Sequence, residues 1–118
     1  MNFSVTTERD GDLVVITLVG EVDLYTAPDL KQELVRVVDE GAQRVLVDMS
    51  ETTFIDSTTL GVLVSGLKQL RPLGGQLVLV ITDSKIRRVF EITGLDRVFP
   101  IHGTRAEALR SLPASAAG

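Results

Sequence analysis

Apolar and polar positions change their period several times along the chain, and each change predicts an element. Phe3–Glu8 and Leu13–Val19 are β-rich runs, and Asp10-Gly11 between them is a favoured turn dipeptide, so the chain opens with a hairpin. Gly20 ends the second strand, and Glu21-Val22-Asp23-Leu24-Tyr25 reads as a loop feeding a helix. Thr26 is the expected N-cap, with Pro28 in the first turn and Asp29 placed as in a capping box. Leu30, Leu34, Val37 and Val38 then fall on one helical face that stops at Gly41.

Val45-Leu46-Val47 has no polar alternation, which predicts a strand covered on both faces and running out at Asp48. A short loop is expected next, returning Phe54 and Ile55 to the core. Leu60, Leu63, Val64, Leu67 and Leu70 have helical spacing, closed by Pro72 and Gly74-Gly75. Leu77–Ile81 is a second covered strand. Ser84–Thr93 reads as a helix with Ile86, Val89 and Phe90 inward and Gly94 as its stop. Val98-Phe99 is a short strand that Pro100 makes an edge candidate, and Thr104 with Glu107 forms a capping box before Ala108, Leu109 and Leu112. The order is β-β-α-β-α-β-α-β-α. It predicts an α/β fold with a single mixed sheet of about five strands and about four helices, one domain over residues 1–112 and a disordered tail over 113–118.

Composition narrows what such a domain can do. The 118 residues include no Cys and one His, so disulfide frameworks, thiol chemistry and clustered His or Cys metal sites are not expected. His102, the lone imidazole, is expected to be a partly exposed loop residue. A net charge of −4 with 4% aromatics lacks both the electrostatic footprint and the stacking platforms of nucleic-acid binding, and favours protein partners with a basic surface. The start of the chain has no secretory pattern and no apolar run is long enough for a bilayer, so a cytoplasmic domain without membrane contact is expected. Nucleotide-loop and metallohydrolase motifs are missing, and neither an enzyme nor a cofactor is expected.

The informative segment is Asp48-Met49-Ser50-Glu51-Thr52-Thr53-Phe54-Ile55-Asp56-Ser57-Thr58-Thr59-Leu60-Gly61-Val62-Leu63. Either Asp56 or Ser57 caps the helix that follows, and both assignments put Ser57 at a helix start, where free N–H groups and the dipole favour negative charge. A phosphate there adds about −1.5 to −2 units of charge without breaking the helix. Local chemistry alone also fits a plain serine cap.

That segment resembles the signature of STAS domains, and specifically of bacterial anti-sigma-factor antagonists. Asp48, Phe54, Asp56-Ser57, Thr58-Thr59 and Leu60-Gly61-Val62-Leu63 follow the family pattern, and Gly20-Glu21-Val22-Asp23 with Thr26-Ala27 resembles the family's Gly-Glu-hydrophobic-Asp loop and helix start. The resemblance implies a partner switch. The unmodified antagonist binds an anti-sigma factor that is itself a serine kinase, freeing the sigma factor. Phosphorylation of the serine after the Asp, Ser57 here, ends that binding, and a metal-dependent serine phosphatase resets it. It also implies roles in stress response or sporulation. Thr59 departs from the glycine the family often has there, which makes Thr58 and Thr59 weaker candidate acceptors.

Asp23, Asp56, Thr58, Thr59 and Gly61 are expected to shape the partner surface, the two aspartates serving otherwise as ordinary loop and cap residues. Lys85, Arg87 and Arg88 crowd the start of the third helix against its dipole; a solvated face and a contact for an acidic strip or a phosphate both remain open. Gly61 and Gly66 lie inside the second helix, with close packing on the sheet as the expected reason. Tyr25 is either a loop anchor or a contact residue. The alternative function is a STAS scaffold or transporter-associated subunit that is never phosphorylated.

Overall fold

A computed structural model describes residues 3–113. The expected tail lies outside the described residues apart from Pro113. β1 (Phe3–Asp10) and β2 (Leu13–Val22) form the hairpin around Gly11 and Asp12, one residue later than the dipeptide suggested, with Gly11 at φ +64°. α1 (Ala27–Asp39), β3 (Arg44–Ile55), α2 (Ser57–Leu70), β4 (Gln76–Val80), α3 (Ser84–Thr93), β5 (Ile101–His102) and α4 (Arg105–Arg110) follow, with 3₁₀ turns at Arg71–Leu73 and Leu95–Arg97. The sheet order is β1-β2-β3-β4-β5; β1 is antiparallel to β2 and the remaining pairs are parallel. The fold class is as the order of elements predicted.

Connections between sequential parallel strands, for which the right-handed crossover is the rule, put α1, α2 and α3 on one face. There Leu30, Leu34, Leu63, Leu67, Leu70, Ile86 and Phe90 pack on Ile16, Val47, Leu77 and Leu79. Among the described residues the reverse face is covered by α4 and the turn that follows it, through Ala108 and Leu112 on Val15, Leu46, Val78 and Val80. α4 is held there by Arg105, which donates to Asp48 at 2.9 Å and to Thr17 at 3.0 Å. Burial pushes the Asp48 carboxyl up, but hydrogen bonds from the Ser50 amide and from Arg105 outweigh it and leave it below the ordinary carboxylate range.

Several local expectations are corrected. β3 does not run out at Asp48 but continues to Ile55, because β2 continues beside it to Val22; beyond Asp48↔Val80 it has no partner in β4. Two irregularities in its pairing, between Thr17 and Val19 and between Gly20 and Glu21, give the segment the broken pattern that reads as a loop. Phe54 does not return to the core. Side chains alternate along a strand, so the buried Ile55 faces the helices and Phe54 faces away, 45% exposed. Thr26 is the N-cap residue of α1, as expected, but its side chain makes no capping hydrogen bond. Val98-Phe99 is not a strand either: the Phe99 amide bonds the Leu95 carbonyl, its ring packs edge-to-face on Phe90 at 6.3 Å, and β5 forms two residues later. His102 therefore lies within a strand, half-buried, with Nε2 sealed from solvent and without a hydrogen-bond partner among the described residues.

The two helix glycines separate. A Cβ on Gly66 would meet Leu34 Cδ1 at 3.1 Å and Leu77 Cδ1 at 3.5 Å, so its close packing is as expected. Gly61 has nothing within 4 Å of such a Cβ and is exposed, so packing does not explain it.

Candidate functional site

The site is built at the end of the β2–β3 ribbon. Val22 and Ile55 are partners in register, so the residues that follow them, Asp23 and Asp56, leave from neighbouring strand ends. Each aspartate closes a turn. Asp56 is the N-cap of α2, its Oδ1 accepting from the Thr59 amide at 3.1 Å, which decides the cap in favour of Asp56 over Ser57. Asp23 Oδ1 accepts from the amides of Tyr25 at 2.9 Å and Thr26 at 3.1 Å. The Asp23 amide donates to Thr26 Oγ1 at 2.8 Å, and that hydroxyl lies 3.1 Å from the Glu21 carbonyl.

Ser57 is the first residue of α2, exposed, and its hydroxyl makes no hydrogen bond among the described residues. With Asp56 occupying the Thr59 amide, the amides of Ser57 and Thr58 are the two at this helix start left without an intrahelical or capping partner. Thr58 is half-buried. Thr59 is 0% exposed, and its hydroxyl donates to the Val22 carbonyl at 2.7 Å. The expectation of Thr59 as an accessible acceptor or contact is corrected on that ground: its side chain is spent inside the fold. Gly61 is exposed at the start of the second turn of α2.

The site also carries exposed apolar side chains: Tyr25, for which the sequence left a loop anchor and a contact residue open, and Leu24, which it did not single out. Tyr25 is 86% exposed and Leu24 61%, both on the short loop fixed by Asp23 and Thr26. Their only signal in the sequence is a pair of large residues placed between a turn-forming Asp and a helix-starting Pro. Lys85, Arg87 and Arg88 are exposed on α3, whose start is capped by Asp83 through the amides of Lys85 and Ile86. They are not brought to Ser57, because β3 runs seven residues past its last β4 partner before α2 begins. Asp48, part of the same sequence signature, sits mid-strand on the reverse face and serves α4 instead.

Among the described residues no group of three or more His, Cys, Asp or Glu side chains is placed to hold a metal ion, and no helix is long and apolar enough to cross a membrane. A polar turn, an exposed hydroxyl at a helix start and two exposed apolar side chains form a surface suited to recognition.

The STAS domain profile matches residues 4–108. The anti-sigma-B factor antagonist of Listeria monocytogenes is 41% identical over 109 residues, covering 91% of this chain and 95% of that protein. The crystal structure of an anti-sigma factor antagonist from Mycobacterium paratuberculosis superposes with a TM-score of 0.86 at 29% identity, over 94% of each chain. The Bacillus cell fate determinant SpoIIAA in its phosphorylated form shares the fold, with a TM-score of 0.74 at 22% identity over 93% of this chain and 100% of that one. The chain belongs to the STAS domain family, among its bacterial anti-sigma factor antagonists.

Proposed function

We propose that this antagonist binds a cognate anti-sigma factor through the surface around Ser57, releasing the sigma factor, and that phosphorylation of Ser57 ends the binding. In this reading the anti-sigma factor is the kinase and a metal-dependent phosphatase reverses the modification. The protein is a substrate and ligand in the cytoplasm and catalyses nothing itself. The observation that carries the reading is the state of Ser57: exposed, unbonded, and first in a helix whose nearest amides are free. A phosphate there meets the positive end of the helix dipole and displaces no internal contact.

Asp23 and Asp56 support the reading by giving the surface a negative rim, and Leu24 and Tyr25 by giving it apolar area of the kind that anchors protein interfaces. The test is incubation with ATP and the anti-sigma-B factor of Listeria monocytogenes, whose antagonist is 41% identical, followed by phosphate mapping by mass spectrometry. Phosphate is expected on Ser57. Binding without any phosphate on Ser57 or Thr58 would leave the scaffold alternative in its place.

A further inference from the structure

One peptide group at the site is held from both sides. The carbonyl of the Val22–Asp23 peptide accepts from the Thr59 hydroxyl at 2.7 Å, and its N–H donates to the Thr26 hydroxyl at 2.8 Å. Thr59 itself is tied to the α2 start, since its amide donates to Asp56 Oδ1 at 3.1 Å and its hydroxyl lies 3.4 Å from the same oxygen. A short chain of hydrogen bonds therefore runs from Asp56, beside Ser57, through Thr59 to the peptide that begins the Leu24–Tyr25 loop.

The alternative account is that Thr59 only satisfies itself in the core. Two features argue for more. The carbonyl it holds is not deep within a ladder but at the final pair of β2 and β3, where the chain is about to leave the sheet. The loop beyond it carries two large apolar side chains, 61% and 86% exposed, neither of which belongs to the packed core. Their direction is set by backbone alone, and a rotation of the Val22–Asp23 peptide would swing both. Fixing such a loop in advance removes an ordering cost that binding would otherwise meet.

We infer that Thr59 is a positioning residue that clamps the Val22–Asp23 peptide and so holds Leu24 and Tyr25 in a fixed relation to Ser57. The link to partner recognition rests on the proposed function of Ser57; the clamp itself does not.

Amide hydrogen exchange by NMR on the full chain tests the clamp. Thr59→Val keeps the buried volume and removes the hydroxyl. Exchange of the Asp23, Tyr25 and Thr26 amides is expected to rise at least tenfold in that variant and to return to within threefold of wild type in Thr59→Ser. Thr59→Ala takes its place should the Val variant fail to fold. Thr52→Val is the control: Thr52 is equally buried on the same ribbon and donates to the Leu18 carbonyl at 3.0 Å, so it loses a comparable bond without touching the loop. Unchanged loop exchange in Thr59→Val, the same rise in Thr52→Val, or no recovery in Thr59→Ser would each overturn the clamp. The link to recognition is read with ATP and the Listeria monocytogenes anti-sigma-B factor. Thr59→Val is expected to raise the KM for Ser57 phosphorylation fivefold or more with kcat unchanged, and Thr59→Ser to restore it. An unchanged KM overturns the link, whereas absence of phosphate in the wild type overturns the Ser57 reading and leaves the exchange result standing.

Discussion

Replacing Ser57 by Asp separates an effect on the interface from an effect on the fold. In the free protein the new carboxylate points into water from the first position of α2, and no existing hydrogen bond is lost. The helix start favours it by about 0.3–1 kcal/mol. The neighbouring Asp56 carboxylate opposes it: a like charge taken at about 6 Å costs about 0.7 kcal/mol at the dielectric of water. The two nearly cancel, so the melting temperature should move by less than about 3 °C. Binding changes the dielectric. At an effective value of about 20, reached when a partner excludes water, the same pair repels by about 3 kcal/mol. A loss of about 2–3 kcal/mol is a roughly 30–150-fold weaker complex. Phosphate, with about twice the charge, should exceed this.

The assay is calorimetric titration of wild type, Ser57→Ala and Ser57→Asp into the cognate anti-sigma factor without ATP, beside thermal melts of each antagonist. Ser57→Ala should bind as wild type does and, with ATP present, keep binding when wild type does not. Equal affinities for Ala and Asp would refute the charge argument. A Ser57→Asp variant that loses more than about 10 °C in Tm would refute the claim that the fold is indifferent to charge at this place.

Other consequences concern the scaffold. Asp48→Asn should cost about 2 kcal/mol at pH 7 in urea melts, because Arg105 loses a charged partner that is only 6% exposed. Since the folded carboxyl titrates below its ordinary value, its contribution is present above about pH 4 and lost as pH falls through the folded pKa, so the gap between wild type and variant should close in acid; a gap independent of pH would contradict the assignment. Gly61→Ala should stabilise by up to about 1 kcal/mol, as its site is open, and Gly66→Ala should fall at least about 1 kcal/mol below it because its new methyl presses on Leu34; equal Tm values would deny the packing difference. Phe99→Ala should cost about 3–5 kcal/mol by removing a fully buried ring from its contact with Phe90, and a loss below about 1 kcal/mol would show that the site collapses around the deletion.

What the sequence made legible was wherever local chemistry and tertiary demand agree. Asp56-Ser57 before a run of helical period marks the α2 start, and Gly94 at φ +76° ends α3 as its position suggested. The misreadings share a cause. The far half of β3 has neighbours on one side only and irregular pairing, so its polar residues mimic a loop; only the continuation of β2 makes it a strand. Val98-Phe99 has the composition of a strand, yet Phe99 is apolar because it fills the space beside Phe90. Thr26 is the N-cap residue its position predicts, but its hydroxyl takes part in the Asp23 turn rather than capping α1. Nothing in a linear pattern reveals that Thr59 reaches Val22, or that Arg105 reaches Asp48 across 57 residues.

Those long-range bonds also explain how a surface can change charge while the domain stays as it is. The Phe90–Phe99 contact and the Asp48–Arg105 pair belong to the part of the sheet where β4 pairs with β3 and where α3 and α4 pack. Ser57 stands beyond it, at the α2 start that follows the end of the ribbon where β3 has outrun β4, and the ties there are neutral hydroxyl bonds from Thr52 and Thr59 to backbone carbonyls. Neutral bonds respond weakly to an added charge, whereas an ion pair in the same place would compete with the phosphate for its cation. Under the proposed switch, such an antagonist presents one backbone to its partner in both phosphorylation states, and the rim around Asp23 and Asp56 sets affinity by its electrostatics. It follows that the amide spectra of the phosphorylated and unphosphorylated forms should differ only near residues 23–26 and 56–60; displacements spread through α3 or α4 would mean that the switch works by moving the fold.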